Sequence, residues 1–223
     1  MLRAVLASLT ITAGLAAVST AAKAQETPQL HWHVMGGYSE PVGQTRDYLQ
    51  GGYLFGGGFS ITPSRYSPLD VRFDFSYSSH QASNYLLDLG QQTTNYEVDN
   101  GTGSFWSGTG NLVYHVPLAY GVRAYGIAGV GVYHARVELT QYDPYGYGYG
   151  YYDCDPFSGY CYGGGGGEAL VAAHGVTKFG WNAGLGVEFA LPSGRSWFVE
   201  ARYHRINTNT PIEYVPIAVG YRF

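Results

Sequence analysis

Apolar and polar residues alternate along most of this chain. Leu69, Val71, Phe73, Phe75 and Tyr77 are interleaved with Asp70, Arg72, Asp74 and Ser76. A helix would scatter the two sets around its axis. A strand sends them to opposite faces, so the run predicts one greasy wall and one polar wall. The last segment repeats the pattern, with Val215, Ile217, Val219, Tyr221 and Phe223 against Pro216, Ala218, Gly220 and Arg222. Six further runs, at 30–38, 48–62, 105–118, 122–139, 178–191 and 196–206, bring the predicted strands to eight. With the greasy face taken as outward, the inward faces carry Asp70, Arg72, Asp74, Asn111, His115, Arg136, Glu138, Lys178, Glu188, Glu200, Arg202, His204 and Arg222. In 122–139 that choice places Tyr125, Ile127, Tyr133, Val137 and Leu139 outside. Pro216 removes a ladder donor inside its strand and predicts a bulge there.

The connections between the runs sort by length. Those after the first, third, fifth and seventh strands are mostly long and polar, including 78–103 and 140–175, while those after the second, fourth and sixth are short turns. Outer-membrane barrels have short periplasmic turns and longer external loops. Strands of about ten residues cross a bilayer when tilted, and the sheet must close because lipid cannot satisfy an open edge. The predicted fold is all-β, an eight-stranded antiparallel up-and-down transmembrane β-barrel.

Composition agrees. The chain has 33 Gly and 22 Tyr, and only 13% of its residues are charged. A soluble sandwich would carry more charge on its solvent faces. The amino end reads as a secretory signal over residues 1–24, with Arg3, a short apolar run and Ala22-Lys23-Ala24, which leaves the barrel domain at 25–223. Without Arg3 and Lys23, about 10 basic residues face 16 acidic ones. That balance argues against a nucleic-acid partner. Cys154 and Cys161 are the only thiols, and in an exported protein they are expected to form a disulfide.

The whole predicted barrel resembles the small outer-membrane barrels of the OmpA membrane domain, OmpX and Ail type. The resemblance rests on the terminal Tyr221-Arg222-Phe223, on Glu200-Ala201-Arg202-Tyr203, and on the Gly-x-Gly centres Gly129 to Gly131 and Gly184 to Gly186. It implies residence in the bacterial outer membrane, among outer-membrane lipid and lipopolysaccharide. It also implies handling by the barrel assembly machinery, with Tyr221 and Phe223 as the assembly signal. No cofactor is implied, and the motifs identify architecture better than function.

Four groups of residues invite a chemical reading. Eight strands leave a lumen that side chains can fill, so the inward charges are expected to plug it as a network of ion pairs rather than to line a narrow solute channel of OmpW type. His31 and His33 share a strand face but have no Cys or carboxylate nearby in sequence, which favours lumen filling over metal binding. The stretch from Arg202 to Asn207 resembles the catalytic segment of the outer-membrane lipid A deacylases of the PagL family. His204 and Asn207 match it, yet Ile206 stands where the nucleophilic Ser belongs and Glu213 is the only later acid. Without a hydroxyl, His204 has nothing to activate, so the chain is expected not to be an enzyme. The loop holding Tyr145, Tyr147, Tyr149, Tyr151 and Tyr152 combines rigid aromatic rings with Gly, the chemistry of adaptable binding surfaces. The expected role is envelope-structural and adhesin-like, with a host or surface ligand met through this loop.

Overall fold

A computed structural model of the protein describes residues 28–64, 67–94, 96–143, 153–154, 161–162 and 167–223. The predicted signal and most of the Tyr/Gly loop, including Tyr145, Tyr147, Tyr149, Tyr151 and Tyr152, lie outside the described residues. The main strands are β1 (Gln29–Pro41), β2 (Leu49–Thr62), β3 (Leu69–Ala82), β4 (Asn100–Ala119), β5 (Val122–Asp143), β8 (Gly167–Ala190), β9 (Ser196–Ile206) and β10 (Ile212–Arg222). A two-residue ribbon, β6 (Asp153–Cys154) with β7 (Cys161–Tyr162), sits between β5 and β8 in sequence. Two helices, α1 (Thr45–Tyr48) and α2 (Asn84–Thr94), interrupt the connections.

The eight long strands close in the ring β1-β10-β9-β8-β5-β4-β3-β2, each antiparallel to its neighbours. The seam is β1 with β10. There Phe223 and Trp32 exchange both backbone hydrogen bonds, at 2.9 and 3.1 Å, so the last residue completes the ladder. Pro216 makes no bulge. Pairing of β10 with β9 lapses between Tyr214↔His204 and Ile217↔Ala201 and resumes in the same register, while Pro216 stays opposite Ser39 of β1.

The outer wall is apolar. Phe75, Leu112, Val130, Leu185 and Ile217 are among its exposed residues, Leu185 at 72%. A soluble monomer seldom shows so continuous an apolar surface, whereas a barrel in lipid requires it. Aromatic side chains mark the end with the short turns, where Trp32 packs on Phe59 and Trp197 on Tyr221. A second set, Tyr53, Phe55, Tyr77, Trp106, Trp181 and Tyr203, marks the opposite level. Among the described residues no helix is long and apolar enough to cross a membrane; the strands do the crossing.

Two expectations need correction here. The long interval 78–103 is not irregular throughout: β3 runs on to Ala82, β4 begins at Asn100, and α2 fills the space between. Ser83 caps that helix through its Oγ, which accepts the Leu86 N–H at 3.3 Å, and Gly90 is buried against Leu139. In β5 the faces are reversed. Tyr125, Ile127, Tyr133 and Leu139 point into the barrel, and Val130, Val132, His134 and Arg136 point out.

Candidate functional site

Alternation along β3 and β9 aims Arg72, Asp74, Glu200 and Arg202 at one level of the lumen, where all four are nearly sealed from solvent. They form an ionic ring. Asp74 Oδ1 accepts from Arg72 Nε at 2.7 Å and lies 2.7 Å from His33 Nε2. Its Oδ2 accepts from Arg202 Nη1 at 2.9 Å and Asn111 Nδ2 at 2.8 Å. Glu200 Oε2 accepts from Arg72 Nη1 at 3.0 Å and Tyr125 Oη at 2.9 Å. Its Oε1 takes Arg202 Nε at 3.0 Å and the adjacent Nη2. Two carboxylates offer about eight acceptor positions, and all are used, with two positive charges against two negative. The Arg72 guanidinium also lies over the Phe198 ring, 5.1 Å from its centre.

A second cluster occupies the end with the short turns. Asp70 Oδ2 lies 3.1 Å from His115 Nε2 and 3.3 Å from Arg222 Nη2, and Glu188 pairs with Arg123 at 2.9 Å and accepts from Ser196. Toward the long loops the filling becomes aromatic. Phe105 stacks on Tyr214, Tyr214 on His204, and Tyr133 Oη lies 3.0 Å from His204 Nδ1.

Ten of the thirteen residues predicted to face inward therefore meet inside: Asp70, Arg72, Asp74, Asn111, His115, Glu188, Glu200, Arg202, His204 and Arg222. Three do not. Arg136 and Glu138 pair with each other at 2.5 Å on the outer face of β5, with side chains 45% and 38% exposed. Their Cα partners on β8, Gly175 and Ala173, lie beyond Gly180, the last β8 residue paired with β9, so they stand above the lip of the barrel on that side. Lys178 shares the inward register of its partner Tyr133 but falls past the same lip and is exposed. Sequence reading placed His33 and Asn111 in the lumen without their partners, and it placed Tyr125 on the wrong face. Asn111 had the right parity, and Tyr125 was hidden by the assumption that greasy residues face lipid.

Only small voids flank the ring, about 20 Å³ on the side of Asp70 and about 10 Å³ on the side of His204. Each holds one water at most. The residues that resemble the lipid A deacylase segment are not brought together. His204 and the fully buried Ile206 face the lumen, while Glu213 is engaged on the other face of the sheet by Tyr203 Oη and Arg205 Nη1, both at 2.7 Å. Among the described residues no cluster of three metal-ligating side chains occurs.

Lipid-facing aromatic belts, a sealed seam and a lumen plugged by charge together define an integral barrel of the bacterial outer membrane. The chain belongs to the outer membrane protein beta-barrel domain family, whose sequence model matches residues 10–223. Its fold is similar to that of Neisserial surface protein A (NspA), 14% identical, covering 88% of this chain and 98% of that one with a TM-score of 0.52. Weaker likenesses are to the attachment invasion locus protein Ail of Yersinia pestis, solved with the heparin analogue sucrose octasulfate (13% identity, 87% and 99% covered, TM-score 0.45), and to OprG of Pseudomonas aeruginosa (12%, 89% and 98%, 0.46). Among curated proteins, a search returns none similar in sequence.

Proposed function

We propose that this protein is a non-enzymatic, non-conducting outer-membrane barrel that supports the envelope and makes surface contacts through its external loops. The observation that carries the reading is the ring of Arg72, Asp74, Glu200 and Arg202, with voids of about 20 and 10 Å³ on its two sides. A solute path needs a wetted passage, and these charges neutralise one another instead of lining one. Function then falls to the rims. Inserted into planar bilayers, the purified protein is expected to give no single-channel currents; stepwise conductance would overturn the non-conducting role. In detergent it is expected to release no acyl chain from lipid A, and release that disappears in His204→Ala would instead establish an esterase.

The Tyr/Gly loop is the contact element in this reading. Removing residues 145–162 is expected to abolish retention of intact cells on immobilised glycans and fixed epithelial cells while leaving heat-modifiable gel mobility unchanged. Equal retention with and without the loop counts against it. The ribbon supports a local staple: Cys154 and Cys161 are Cα partners across β6 and β7. A disulfide there closes a short loop and restrains the unfolded chain by roughly 2–3 kcal/mol. The exported protein is expected to resist alkylation by iodoacetamide until a reductant is added. Immediate labelling of both thiols would refute the bond.

A further inference from the structure

The aromatic upper half of the lumen is not filled. Above the stack of Phe105, Tyr214 and His204 lies a cavity of about 250 Å³, walled by Tyr48, Leu49, Leu86, Phe105, Val137 and Ile212. Four separate parts of the fold supply these walls: α1 with the start of β2, α2, the β4–β5 hairpin and the start of β10. Leu49 and Phe105 are almost wholly buried, so the floor is fixed by packing. The rim is polar. Gln44 and Thr210 line it, the Gln44 side chain makes no cap bond to α1, and the Thr45 hydroxyl already accepts the Glu213 N–H at 2.8 Å.

Protein interiors hold few voids larger than a water molecule. The voids beside the ionic ring obey that rule and the two mouths of the barrel do not; the mouth at the short turns, about 200 Å³, is lined by charged groups such as Asp70, Arg123 and Glu188, whereas this one is apolar. The pocket opens outward, but water against its walls gains little, because they offer it almost no polar partners. An apolar cavity of roughly 150 Å³ is enough to bind benzene, so by proportion this one takes a body of about ten carbons. We propose that the outer mouth of the barrel is a binding site for a small apolar molecule of about that size carrying one polar end. The chain or ring is held by the six walls, and the polar end stays at the rim beside Gln44 and Thr210. A short acyl chain and an arylalkyl acid share this chemistry. The walls named here are all described residues, and the site does not depend on any surface-contact role.

The test uses the mature protein in phospholipid nanodiscs with labelled Ile, Leu and Val methyl groups, titrated with octanoate and, separately, with 4-phenylbutyrate. Saturable shifts of the Leu49, Leu86, Val137 and Ile212 methyls are expected with at least one probe, and the responding probe identifies the class. Dissolution in the disc lipid would instead give linear, unsaturating shifts at lipid-facing Leu112 and Leu185. Filling the cavity by Val137→Trp is expected to weaken binding at least tenfold. Leu86→Trp, which fills it from a helix outside the sheet, repeats the test should Val137→Trp fail to fold, with heat-modifiable mobility as the check on folding. Linear shifts alone, or saturation unchanged in a folded cavity-filled variant, would overturn the site.

Discussion

Replacing Arg202 by methionine is expected to lower the stability of the barrel by about 3–5 kcal/mol, the typical cost of stranding a buried charge. Wild type balances Arg72 and Arg202 against Asp74 and Glu200. The substitution leaves two carboxylates and one guanidinium in a place that bulk water does not reach, and it removes all of the Glu200 Oε1 partners at once. The companion variant decides whether charge or mere bulk is responsible. Arg202→Met combined with Glu200→Met leaves Arg72 with Asp74 as a neutral pair, although Tyr125 Oη loses its acceptor. The double variant is therefore expected to be more stable than Arg202→Met alone, with a coupling of about 0.5–3 kcal/mol. Urea titration in lipid vesicles, read by heat-modifiable mobility, measures both. An Arg202→Met barrel within about 1 kcal/mol of wild type would mean that water screens the ring, and the plugged lumen would then have to be abandoned.

The two faces of β3 show how far residue order alone reached. Its strict alternation of large apolar and charged residues reports two different solvents, and Asp70, Arg72 and Asp74 all point where the pattern placed them. Strand β9 and the last strand were legible for the same reason. In β5 the rule failed because both sides of the strand meet apolar surroundings. Its inward rings, Tyr125 and Tyr133, fill the lumen against Gly186 and Gly180, while its outward residues shrink to Ala124, Gly126 and Ala128 in the lipid belt and become polar only above the lip. Hydrophobicity cannot tell a lumen that is locally greasy from lipid. Helix α2 was legible after all, in a Ser N-cap followed by Leu86, Leu89 and Gly90 at helical spacing, but the long polar interval around it masked the period. Which charges would pair was out of reach, since Arg72 and Glu200 are 128 residues apart and only the closed register brings them together.

A methyl group added at Gly186 is expected to cost about 1–3 kcal/mol, an overpacking penalty in a position that looks harmless in sequence. Gly186 is the Cα partner of Tyr125, whose ring lies across the glycine where the new methyl would have to go. The ring cannot simply swing away, because its hydroxyl donates to Glu200 Oε2 and would leave the ionic ring one donor short. The Gly-x-Gly centre is thus a seat for an aromatic side chain, and Gly220 serves Phe198 in the same way. If so, the two positions are coupled. Tyr125→Ala alone is expected to cost about 3–5 kcal/mol as a large buried side chain removed, and Gly186→Ala in that background should cost almost nothing, since the obstacle has gone. Equal costs in both backgrounds would place the penalty in the backbone instead. Gly37 supplies the contrast. A methyl there would run into the carbonyl of Ile217 across the closing seam of β1 and β10, and no side-chain deletion can relieve a clash with backbone. Gly37→Ala is therefore expected to fail at barrel closure itself, with loss of the heat-modifiable form in every background, whereas Gly186→Ala remains correctable from Tyr125.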